Sequence, residues 1–270
     1  MRNLLLGMAL ITTVCVASSA NAQALGDLKI ELEHGNATDF SLTPLWFGFH
    51  NGAFDSFDAG SAASASIEAI AELGDVGPIT AEFSAAPGIP GDIQGVAAAA
   101  GNGVPPIEPG ETGVGYVTPI NPSGYQYFSF LSMLVPTNDT FIGNDNPLAY
   151  RVFNDDDQLI DENGIPVTER VITLFASDIY DSGTEVNSGF GAAFTQGQVG
   201  TDGTDEGGVV TAGSDLSAFL GATDVTGRLI DDPLGSAEVL ATIRISQVVP
   251  EPASGMLLLA GLAVVARRRS

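Results

Sequence analysis

Tyr125-Gln126-Tyr127-Phe128-Ser129-Phe130-Leu131-Ser132-Met133-Leu134-Val135 is the longest strand candidate in the body of this chain. It is aromatic-rich and uninterrupted, which predicts a strand at the centre of a sheet. Shorter candidates lie on both sides. Leu28-Lys29-Ile30-Glu31-Leu32-Glu33 alternates apolar and charged residues, as a half-buried strand does. Leu42 to His50 is more continuously apolar. Val171 to Tyr180 follows an Asn163-Gly164 turn. Ala237 to Val248 alternates cleanly, with Val239, Ala241, Ile243, Ile245 and Gln247 on one face and Leu240, Thr242, Arg244 and Ser246 on the other. One helix is expected over Ala62 to Leu73, with Ile67, Ile70, Ala71 and Leu73 at near-helical spacing and Gly74 as its stop. The Gly-, Pro- and Ala-rich stretch Ala85 to Gly115 reads as loop, as does Thr201 to Gly208. The class expected is mostly β: an antiparallel β-sandwich with one short helix.

The two ends read as addresses. Arg2, the apolar Leu4 to Val16 and Ala20-Asn21-Ala22 form a signal peptide over residues 1–22, with maturation at Gln23. Thr13-Val14 before Cys15 lack the small residue of a lipoprotein site, so the only cysteine leaves with the signal. The mature chain then has no disulfide and no Cys-ligated metal. At the other end, Val249-Pro250-Glu251-Pro252 precedes an apolar run from Ala253 to Ala266 and then Arg267-Arg268-Arg269-Ser270. The prolines separate this tail from the fold. Its apolar helix would span about 21 Å, short of the roughly 20 residues of a full crossing, and the arginines would hold its end in the cytoplasm. The tail, residues 249–270, resembles the PEP-CTERM sorting signal of Gram-negative bacteria. That resemblance implies transient inner-membrane anchoring and processing by exosortase, with delivery to the cell surface or extracellular matrix.

Between the signals lies one body, residues 23–248. Five basic residues, Lys29, Arg151, Arg170, Arg228 and Arg244, stand against thirty-two of the thirty-three acids, a formal charge of −27. Such a surface repels nucleic acid and anionic lipid and attracts divalent cations. Its patterned Ile, Val, Leu and Phe runs exclude disorder.

Three segments of this body, in order, resemble the spondin N-terminal (F-spondin/mindin-like) domain family. They are Leu42-Thr43-Pro44-Leu45 through His50-Asn51-Gly52 to Phe57-Asp58-Ala59-Gly60 and Gly74-Asp75; Phe128 through Pro136-Thr137-Asn138-Asp139-Thr140 to Asn144; and Ile179-Tyr180-Asp181-Ser182-Gly183-Thr184-Glu185-Val186-Asn187. The resemblance implies a C2-like sandwich and a calcium site using Asp139, Asp181 and Glu185. The family's fourth ligand, a glutamate, falls near Ile120, where no carboxylate stands; Glu111 is displaced. Physically, Asp181 and Glu185 are four apart around Gly183, and Asp139 ends a strand, so a turn can bring it to the same edge. Calcium takes six to eight oxygens, and carboxylates packed without a cation raise one another's pKa. The competing reading is that these acids cap turns.

Asp155-Asp156-Asp157 with Asp161-Glu162-Asn163-Gly164 fails as an EF-hand: Gly164 at the sixth position places Leu159 first and Arg170 twelfth, where acids belong. Only His34 and His50 offer imidazole bases, and no nucleophile elbow, zinc motif or phosphate loop is present. Trp46 is assigned to the core. The expected function is therefore a non-enzymatic, calcium-binding adhesion or matrix module whose partners are exopolysaccharide, lipopolysaccharide or surface proteins. A passive structural component of the biofilm matrix is the alternative, and a calcium-dependent hydrolase ranks below both.

Overall fold

A computed structural model describes residues 27–100, 106–118, 121–232 and 234–248. Residues 1–22 with Cys15, expected as a signal peptide, the expected sorting tail 249–270 and Ile120 lie outside them. The strands and helices run β1 (Leu28–His34), β2 (Ser41–Leu42), β3 (Leu45–His50), α1 (Ala65–Leu73), α2 (Gly77–Ala85), β4 (Gln94–Ala99), β5 (Thr112–Val117), β6 (Tyr127–Val135), β7 (Thr140–Gly143), β8 (Glu169–Phe175), β9 (Ile179–Asp181), β10 (Thr211–Ala212) and β11 (Val239–Gln247). All named pairings are antiparallel, in the order β10-β9-β7-β6-β3-β4-β5-β1-β11-β8 with β2 on β6. Among the described residues this is one curled, sandwich-like sheet of eleven strands. Among the described residues no helix is long and apolar enough to cross a membrane.

The run that reads as a central strand is β6, paired with β3 on one side and β7 on the other. Its apolar character does not alternate because both faces are covered. On one face Phe128 packs 5.2 Å from Phe49 and 6.1 Å from Phe47, ring to ring. These join Ile30, Ile243 and Ile245 from the far half of the sheet in one core. Each fully buried phenylalanine contributes roughly 1.5–3 kcal/mol. On the other face the helices sit: Trp46 of β3 packs edge-on against Phe83 of α2 at 5.5 Å, and α1 lies against β6 and β7. Trp46 is fully buried, as its core assignment expects.

The expected strand over Leu42 to His50 is two strands offset by one residue. Leu42 pairs with Leu134, but Trp46 pairs with Leu131. Pro44 has no N–H to give the ladder, and the Thr43 hydroxyl accepts from Met133 N at 2.9 Å across the irregularity. In β11, Ala241, Ile243 and Ile245 face inward while Arg244 faces out to Glu33 and Glu169. A bulge between Val239 and Ala241 places Leu240 inside and leaves Val239 exposed, against the simple alternation.

Three expectations are corrected. The stretch Ala85 to Gly115 is not all loop: it carries β4 and β5. β4 pairs with β3 through Gln94 to Ala97, then with β5 through Ala98 and Ala99, so it carries the sheet from one half to the other. Its small residues are steric necessities. A Cβ on Gly95 would sit 2.7 Å from the Phe47 ring, and one on Gly115 would lie 2.6 Å from Val96 O. The run Val171 to Tyr180 is two strands, not one. β8 ends at Phe175, a 3₁₀ turn over Ala176–Asp178 intervenes, and β9 joins the other half of the sheet. The described residues carry two α-helices where one was expected between the strands. α1 begins at Ala65, with Ser64 accepting from Ile67 N and Gly74 closing it at φ +64°. α2 follows directly, with Pro78 in its first turn and Ile79 and Phe83 buried.

Candidate functional site

Asp139 follows β6 in a short turn before β7, where the Thr137 hydroxyl accepts from Thr140 N. Burial there is complete. One carboxylate oxygen, Oδ2, sits in a nest of donors from the loop after β9: Ser182 Oγ at 3.0 Å, Thr184 N at 2.9 Å and Glu185 N at 3.1 Å. The other oxygen, Oδ1, is buried without a hydrogen-bond partner. Burial raises the Asp139 pKa above its ordinary value, and the nearby Asp181 charge adds to this.

Glu185 is almost fully buried. Its Oε2 accepts from Asn138 Nδ2 at 3.1 Å, and its carboxylate lies against Gly203, where a Cβ would come within 2.2 Å of it. Burial raises this pKa too, with the charges of Asp139, Asp205 and Glu68 in support. Glu72 of α1 belongs to the same cluster. Burial first, and then the charges of Glu185, Glu68 and Asp139, push its pKa to about 7. Among the described residues no counter-charge balances these acids. Lys29, Arg151, Arg170, Arg228 and Arg244 are ion-paired elsewhere, with Glu31, Asp155, Glu162, Glu108 and the pair Glu33 and Glu169 respectively.

Asp181 ends β9 just before this loop, and its carboxylate takes partners of its own. Its Oδ1 accepts from Gly183 N at 2.9 Å, and its Oδ2 takes Asn187 Nδ2 and, at 3.3 Å, Ser214 Oγ. Gly183 has φ +67°, and a Cβ there would meet Val209 N and O at 2.6 Å, so the turn requires glycine. Of the three expected ligands, the structure brings Asp139 and Glu185 together and commits both oxygens of Asp181 to hydrogen bonds, within the loop that follows it and to Ser214 after β10. Among the described residues no three Asp, Glu, His or Cys side chains stand close enough to hold an ion. The chemistry of the donor set nonetheless suits a hard cation: carboxylate oxygens, the Thr184 hydroxyl, a buried unpaired Oδ1 and no competing base. The fit is to the residues, not to a preformed three-carboxylate cage.

Glu72 and Asn138 are the contributors that the sequence did not single out. Glu68 and Glu72 are four apart on α1, a spacing that puts both on one helix face. Nothing local links that face to a loop more than a hundred residues later. The other acidic clusters are turns: Asp161 Oδ1 accepts from Asn163 N and Ile165 N at the surface, as a solvated turn would. His34 and His50 are buried, and burial lowers both to about 4. No protein-family model matches the chain, and no curated protein matches it.

Proposed function

We propose that this chain is an exported, cation-stabilised interaction module of a bacterial surface or extracellular matrix, related to spondin N-terminal domains and sorted through its C-terminal tail. One observation carries the cation reading: the fully buried Asp139 has an unpaired Oδ1 among acids that no Lys or Arg of the described residues neutralises. Asp139 Oδ1 and Glu185 are the carboxylate oxygens that would hold calcium, with the Thr184 hydroxyl and backbone carbonyls completing the shell, while Glu72 would add negative charge nearby. Asp181 would act by shaping the loop that positions Glu185. A bound ion would offset the mutual repulsion of the cluster and tie α1 to the loop after β9.

Calcium in hundredfold excess over its Kd is expected to raise the melting temperature by roughly 5–10 °C. Glu185→Gln should lose most of that rise. An unchanged wild-type melting curve at millimolar calcium would remove the cation from the account. The sorting half rests on the arginine-ended tail after Pro250 and Pro252. Deleting residues 249–270 should abolish surface retention, and unchanged localisation would refute it.

A further inference from the structure

A groove of about 530 Å³ opens beside the carboxylate cluster, lined by Ser188, Gly189, Phe190, Thr195, Gln196 and Gln198 together with small residues near Ala222. In a chain with thirty-three acids, it carries no charged side chain. Phe190 is 57% exposed, but its loop is not free. The buried Asn138 donates from Nδ2 to Phe190 O at 2.9 Å and accepts from Ser188 N at 3.3 Å and Gly189 N at 3.1 Å. The backbone carrying an exposed aromatic ring is thus anchored by a side chain in the interior, which lowers the ordering cost of any ligand that packs on it.

The polar groups of the groove are amides and hydroxyls with capacity to spare. Thr195 is only 9% exposed, and its Oγ1 has no partner. Gln198 spends Oε1 on Gly191 N, leaving its NH2 as a donor. Gln196 is exposed and makes no side-chain hydrogen bond among the described residues. A lipid would want apolar walls, and an anionic polymer would meet the field of a chain with net charge −24. Neighbouring hydroxyls on a ring offer paired donors and acceptors to such amides, while the apolar C–H face of the same ring packs on an aromatic surface.

From this lining we infer that the groove is a binding site for a neutral saccharide chain, with Phe190 as its stacking platform and Gln196 and Gln198 as its hydrogen-bonding arms. None of the clustered carboxylates lines it, so the inference stands apart from the cation reading.

The test is titration of the full mature chain with neutral glucose, mannose and galactose hexasaccharides, in EDTA so that failure of the cation reading leaves the outcome unchanged. At least one should bind saturably, Phe190→Ala should weaken it at least tenfold, and Gln196→Ala several-fold. An oligoguluronate of equal length, being anionic, should not compete. The exposed position of Phe190 allows that variant to keep the wild-type circular dichroism spectrum. Absence of saturable binding to all three neutral probes, or equal binding by a folded Phe190→Ala, overturns the assignment. Competition by oligoguluronate would also overturn it.

Discussion

Replacing Asp139 with alanine should lower the unfolding free energy by roughly 3–5 kcal/mol, seen as a lower urea midpoint with an unchanged m-value. The side chain is small, but three donors converge on its Oδ2. Ser182 is fully buried, so when the acceptor is removed its hydroxyl has no water to turn to, only the Thr184 hydroxyl at 2.6 Å, which cannot also serve the orphaned Thr184 N and Glu185 N. A buried donor left unpaired costs about 1–3 kcal/mol, and partial resolvation of Thr184 N and Glu185 N keeps the total below the simple sum. The same bonds tie the loop after β9 to the end of β6, so β9 and β10 should lose amide-exchange protection first. A loss smaller than about 1 kcal/mol would mean that Asp139 does not organise this loop.

Acidification from pH 6.5 to 4 should destabilise the domain in chelator. His34 and His50 are both buried, and burial lowers each from 6.5 to about 4. Arg228 adds to the effect at His34. At His50, Gly52 N donates to Nδ1, so Nε2 carries the proton and donates to Ser129 Oγ at 2.9 Å. Below pH 6.5 the unfolded chain takes up protons that the folded one refuses until about pH 4. Stability is therefore whole above 6.5, falls across that window and stops falling, on their account, below it. Each histidine is worth roughly 3 kcal/mol over the full window.

The carboxylate cluster acts in the opposite sense. Glu72, raised from 4.5 to about 7, binds its proton more tightly when folded, so its charging cost disappears as pH falls through that range. Glu72 is half-exposed, and solvent screening reduces its share. The histidines dominate, and the net slope is a loss. Glu72→Gln removes part of the compensation and should steepen it. Melting temperatures that rise on acidification from 6.5 to 4 would contradict the assignment of neutral, buried histidines.

The elements that read correctly from sequence bury a face through their own side chains. β1 alternates, as does β11 beyond its bulge, α1 repeats at helical spacing and ends on Gly74, and β6 is apolar on both faces. β4 and β5 resisted because their contribution is the absence of side chains: Gly95, Gly113 and Gly115 make room for Phe47, Ile107 and the neighbouring backbone. The break between β8 and β9 is fixed by Asp178 Oδ2 accepting from Phe175 N, a local bond that apolar patterning does not register. Near the loop after β9, Asp139 and Glu185 lie together, joined by the Glu185 N bond to Asp139 Oδ2. The partners of Asp181 were not legible, because spacing does not reveal side-chain direction, which Asn187 and Ser214 decide here. Glu72 reaches the cluster only through the packing of α1 against β6 and β7.

Calorimetric titration of calcium into the chelated mature chain and its Asp139→Asn variant addresses the claim on which the functional reading turns. The amide keeps an acceptor for the three loop donors while replacing the orphan Oδ1 with an NH2, so the fold survives and the ligand oxygen does not. The expected result is one calcium per wild-type chain and none for the variant. A wild type without saturable uptake at millimolar calcium, or a variant that binds as tightly as wild type, would show that the buried carboxylates grip no ion.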